Sequence, residues 1–167
     1  MLEVQIFTLY PDLYPGLLDA GIYKKAKEQQ KWSLKIVDIR DYAFDNNRTV
    51  DDTPFGGGCG MLLNPDVVAA ALDKNIKSNE KIIYLSPKGK RLDQKKVKLL
   101  SKLKKINILC GHFEGVDQRL LETRNIKEYS IGDFILSGGE IASFVFIDSV
   151  IRSMPRSGCL RFYESNR

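Results

Sequence analysis

The 167-residue sequence is poor in the side chains from which most catalytic and metal sites are built. It has one histidine, His112, and three cysteines, Cys59, Cys110 and Cys159, none of them in a C-x-x-C spacing. A histidine-based triad and a histidine-rich metal site are both poorly supplied, and no residue is assigned as a metal ligand by spacing. Cys110 ends the apolar run INILC and reads as a core residue, not a nucleophile. An odd, scattered cysteine set points to a reduced, cytoplasmic setting. Apolar runs such as Phe144 to Ile147 are far too short to span a bilayer, so no membrane partner is expected. The opening MLEVQIFTL alternates and carries Glu3, which reads as a first strand and not as a signal peptide. Neither G-x-G-x-x-G nor G-x-x-x-x-G-K-[ST] occurs, which removes support for a dinucleotide fingerprint and a P-loop.

What remains is the composition of one globular domain, 43% hydrophobic and 28% charged. Strand-like runs at 4–9, 34–39, 81–85, 106–110 and 126–131 alternate with helical patterns at 17–30, 65–74, 92–103, 116–123 and 140–153. That alternation predicts a parallel, doubly wound α/β sheet. Residues 45–60, DNNRTVDDTPFGGGCG, form the one long segment without periodicity, and such a segment is usually functional or mobile. The net charge of +5 is uneven: twelve Lys/Arg and three Asp/Glu lie between Asp73 and Lys105, a face that is either a solvated lysine surface or a polyanion site.

Three glycine-bearing loops follow the later strands: YLSPKG, LCGHFEG and SIGDFILSGGE. Ligands of open α/β sheets bind outside the carboxyl ends of strands, so these loops are candidate walls of one pocket. Ser137 and Glu140 fit S-x-x-E and predict a capping box at the start of the last helix. Asp148 and Arg152, four apart, predict a surface ion pair. The apolar residues of 140–153 cover more than one side of that helix, as expected of one that is deeply buried or packs on a partner chain.

Five stretches in order, RTVDDTPFGGGCGM, IIYLSPKGKRLDQ, LCGHFEGVDQR, SIGDFILSGGE and IDSVIR, resemble the bacterial tRNA (guanine-N1)-methyltransferases, TrmD, of the SPOUT class. The resemblance implies a SPOUT-type parallel sheet flanked by helices and carrying a deep trefoil knot. It implies methyl transfer from S-adenosylmethionine to the guanine 3′-adjacent to the tRNA anticodon, by a homodimer that takes tRNA and not DNA. By position, cofactor contacts fall to Tyr84, Leu85, Ser86 and Pro87, to Gly111 and Glu114, and to Ile131, Gly132, Asp133, Phe134, Ile135, Leu136, Gly138 and Gly139. Glu114 would lie near the methionine end of the cofactor or a magnesium ion. Asp51, Gly57 and Gly58 would present the guanine, and Arg152 would approach its O6, where a cation acts as an oxyanion-hole donor does. The cofactor is a sulfonium cation without phosphate, which suits a loop, residues 130–140, that has carboxylates but no lysine, arginine or histidine.

The resemblance covers residues 1–155, the expected catalytic domain. Residues 156–167 read as a divergent tail without aspartate, in place of the family's linker, its general-base aspartate and its tRNA-gripping C-terminal domain. The expectation is a catalytic domain whose activity suffers from the missing base. The alternative is a non-catalytic S-adenosylmethionine-binding dimer or gene remnant.

Overall fold

The first two strands alternate, Val4 and Ile6 with Glu3 and Gln5, then Trp32, Leu34 and Ile36 with Ser33 and Lys35, whereas IIYL and INIL are the near-continuous apolar runs of central parallel strands buried on both faces. The computed structural model describes residues 1–53, 57, 60–77 and 79–154. The main strands are β1 (Leu2–Thr8), β2 (Trp32–Asp38), β5 (Ile82–Arg91), β6 (Lys105–Leu109) and β7 (Lys127–Ser130). They form one parallel sheet in the order β2-β1-β6-β5-β7. A separate antiparallel pair, β3 (Asp51–Asp52) and β4 (Leu62–Leu63), flanks the glycine-rich segment and was not legible as strand.

Helices cover both faces. On one side Val4, Ile6, Ile106 and Ile108 pack with α1 (Gly21–Glu28), α3 (Gln94–Leu100) and α5 (Gly139–Arg152). On the other, Phe7, Leu9 and Leu109 pack with α2 (Pro65–Asn75) and α4 (Gln118–Thr123). Asn64 caps α2 by accepting from the amides of Asp66 and Val67, and Pro65 sits where a helix tolerates proline. Asp93 and Asp117 cap α3 and α4 in the same way. The expected strands and helices are all present, but the pattern at 17–30 is split: Gly16–Asp19 is a 3-10 turn, Ala20 is extended, and α1 covers only Gly21–Glu28. The pattern at 92–103 is helical only over Gln94–Leu100, because β5 runs on to Arg91 and Asp93 begins the turn.

The expected capping box does not form. The residue before α5 is Gly138, with no side-chain cap, and Glu140 turns inward. A buried hydrogen-bond network claims its carboxyl group, as described below.

β5 leaves its register with β7 after Leu85 and regains it at Lys90, both residues standing opposite Tyr129. Residues 86–89 therefore bulge toward the carboxyl end of the sheet. A Cβ on Gly89 would lie 2.6 Å from the backbone N and C of Tyr129, so only glycine lets the chain return this closely. Replacing it should force β7 away. Gly89→Ala is expected to lower stability by about 1–3 kcal/mol, read as a lower urea midpoint at unchanged slope; an unchanged midpoint would contradict this packing.

Candidate active site

The bulge within β5, the turn after β6 and the loop after β7 meet at the carboxyl end of the sheet, where an α/β fold places its ligands. They enclose a cleft of about 310 Å³, lined by residues 84–88, 111–116, 130–132 and 134–139, with Gln118, Leu121, Glu128 and Ala142. Every expected cofactor position lies in this lining except Asp133, which is exposed outside it. The three loops predicted to share one pocket do share one.

The walls are mixed. Leu85 and Ile131 give apolar surface, Glu114 and Glu128 give carboxylates, and Lys88 and His112 also face the cleft. The absence of cationic side chains from residues 130–140 therefore does not extend to the whole lining. Tyr84 is buried, and desolvation, with smaller contributions from Glu128 and Cys110, pushes its phenol up to about 12, so it stays neutral at ordinary pH. Gly111 opens the space for that ring: a Cβ there would lie 2.6 Å from Tyr84 Cε2. Of the apolar residues in the loop after β7, Ile135 is 89% exposed, and Phe134 and Leu136 are exposed as well. They form an open lip of the cleft and not a closed wall.

Behind the cleft, Glu140 is 3% exposed and joins three elements. Its Oε1 accepts from the Thr8 hydroxyl at 2.6 Å, and its Oε2 lies 2.6 Å from His112 Nε2. The ring of His112 stands edge-on to Tyr10 at 4.9 Å, and the Tyr10 amide donates to Thr8 Oγ1. Sequence reading took His112 as isolated and Glu140 as a cap. The pair is distant in sequence, and only the topology brings the end of β1 and the turn after β6 to the first turn of α5. Next to it Cys110 is fully buried, and desolvation pushes its thiol up to about 12, with Glu140 adding to the effect. The core reading of this cysteine holds.

The remaining candidates stand apart. Asp51 is half-buried in β3, opposite Leu63. Gly57 is exposed with φ +81°, and Gly58 lies outside the described residues. The second arm of this segment is tied to the cleft: Glu114 N donates to Met61 O and Leu63 N to Gly115 O. Arg152 is exposed in the last turn of α5, the end opposite the cleft. Asp148 accepts from the Tyr23 hydroxyl at 2.7 Å, and Arg152 acts electrostatically on the same phenol.

The family model described as tRNA (Guanine-1)-methyltransferase TrmD matches residues 2–165. The chain belongs to this family. The tRNA (guanine-N(1)-)-methyltransferase of Pelagibacter ubique is 62% identical over 155 residues, covering 93% of this chain and 68% of that protein. Its counterpart from Rhodospirillum rubrum is 47% identical over 154 residues, 92% of this chain and 64% of that protein. The chain thus spans about two thirds of the length of these relatives. No helix among the described residues is long and apolar enough to cross a membrane.

Two expectations follow from the buried network. Thr8→Val removes a donor from a buried carboxyl group and should cost about 1–3 kcal/mol in chemical denaturation, where no change would show that Glu140 has another partner. With Cys59 and Cys159 replaced by serine, Cys110 should be inert to a thiol reagent at pH 8 until the protein unfolds. Rapid labelling of the folded chain would contradict its burial.

Proposed function

We propose that residues 1–155 are a catalytic domain that binds S-adenosylmethionine in the three-loop cleft. Acting as a homodimer, it transfers the methyl group to N1 of the guanine 3′-adjacent to the anticodon of tRNA. The observation that carries this reading is the convergence of the family's cofactor positions, Asp133 apart, on one cleft at the carboxyl end of the sheet.

The cleft fits the cofactor in kind. About 310 Å³ is at the lower end for a small-molecule site. Its apolar walls suit an adenine, and Glu114 and Glu128 suit an amino-acid ammonium and a sulfonium. When bound, S-adenosylmethionine supplies an electrophilic methyl group. The chain's own part is to hold that group dry and oriented, which is worth several orders of magnitude when geometry is right. The exposed Phe134, Ile135 and Leu136 would then be the surface that covers the adenine. Among the described residues no group of three or more His, Cys, Asp or Glu is placed to hold a magnesium ion, and no step is assigned to one.

Arg152 and the cleft-lining Gly139 stand at opposite ends of α5, about 20 Å apart by helix rise. Arg152 therefore serves a cleft only if it reaches the one in a second copy. Exposed Leu13, Leu17, Ile141 and Val145 are the apolar surface available for that association. In the assembled site Arg152 would stabilise charge developing on guanine O6, with Asp51 and the glycine segment presenting the base. No described residue is assigned as the base that takes the N1 proton.

Calorimetry should detect one S-adenosylmethionine bound per chain. Gly132→Val should weaken it at least tenfold, because a Cβ there meets the ring of Phe134 and displaces the lip. Equal affinity in a folded variant would put the cofactor elsewhere. Sedimentation at micromolar concentration should give twice 19.0 kDa; a folded monomer would remove Arg152 from the site.

A further inference from the structure

Much of the excess positive charge lies away from the three-loop cleft. A second cavity, about 940 Å³ and open to solvent, lies along the β7 edge of the sheet. It is formed by residues 79–83 and 88–90, by Leu100, and by residues 124–129. Lys81, Lys88, Lys90, Arg124 and Lys127 line it, against Glu80 and Glu128.

These charges are not equally available. Arg124 is paired with Asp73, and Glu80 is paired with Lys105. Among the described residues, Lys81, Lys88, Lys90 and Lys127 take part in no ion pair, and all four are exposed. Lys127 Nζ donates to Asn125 Oδ1 at 2.6 Å, a neutral partner. Four uncompensated ammonium groups therefore face one free carboxylate, that of Glu128. They come from two segments some forty residues apart, gathered by the register of β5 with β7.

Their arrangement suits a polymer of anions better than one small anion. The cations are spread along an open groove, and ammonium groups on flexible stems bind phosphates as point charges without a fixed fork. The groove also leads to the proposed chemistry, since Lys88 and Glu128 line both this cavity and the three-loop cleft. We propose that this groove binds the phosphate backbone of the RNA substrate and guides it to the cofactor cleft. The inference rests on the reading that the domain acts on tRNA.

The test is the salt dependence of binding to an unmodified tRNA transcript, measured by fluorescence anisotropy on the 167-residue polypeptide. The triple variant Lys81→Gln, Lys90→Gln, Lys127→Gln leaves the shared residue Lys88 in place. It should flatten the log–log slope by about 2, at roughly 0.7 per single-strand phosphate. A control with the same charge change at the other side of the molecule, Lys24→Gln, Lys25→Gln, Lys27→Gln on α1, should change it by less than half as much. Calorimetry should show cofactor affinity unchanged in the groove variant. An unchanged slope, or an equal change in the control, overturns the groove and leaves the tRNA reading intact. Absence of tRNA binding by the unmodified polypeptide, with cofactor still bound, also overturns the groove; the tRNA reading itself falls only if a full-length relative carrying this domain fails to methylate tRNA.

Discussion

The first turn of α5 meets the end of β6 at backbone distance. Gly139 N donates to Gly111 O at 2.9 Å, and a Cβ on Gly139 would lie 2.7 Å from Cys110 Cα. This contact brings the loop after β7 back over the turn after β6, and so it creates the cleft. Glycine is required there for close approach and not for an unusual backbone angle. The neighbouring Glu140 makes the contact specific, because its buried carboxyl group must find Thr8 on β1 and His112 beside Gly111. A buried polar group without partners is costly, so any other docking of α5 is penalised.

The rest of the site follows from that constraint. With α5 fixed, residues 131–138 must span from the end of β7 to Gly138, and they do so with their apolar side chains toward solvent and the cleft. Exposed residues of that kind have a use only if something covers them. The bulge of β5 supplies the opposite wall, and Gly89 allows it to close back onto Tyr129. The same bulge delivers Lys88 and Lys90 to the sheet edge beside Lys127. One local irregularity thus stands between a cleft of mixed walls and a basic groove, with Lys88 and Glu128 lining both.

Much of this was legible in the sequence. The helices and the first two strands announced themselves by period, and the central strands by near-continuous apolar runs such as IIYL and INIL. The cofactor positions were legible only through five ordered motifs; no one loop would have indicated a shared cleft, since convergence is a property of strand order. The capping box at Ser137 and Glu140 failed because local spacing cannot reveal that Thr8 and His112, far away in the chain, compete for the same carboxyl group. His112 was passed over for a related reason: a lone histidine has no sequence signal for a partner 28 residues on. The short pair β3 and β4 escaped notice because two-residue strands have no period to read. Arg152 was identified by motif, but its distance from the cleft in its own chain appears only once α5 is laid out.

The central claim is that the three loops form the S-adenosylmethionine site. The most direct measurement is amide chemical-shift mapping of the isotopically labelled protein during titration with the cofactor. The largest perturbations should fall at residues 84–88, 111–116 and 131–139, with little change in α2 or at the β7-edge lysines. Perturbations centred elsewhere, or none at millimolar cofactor with the protein folded, would contradict the account.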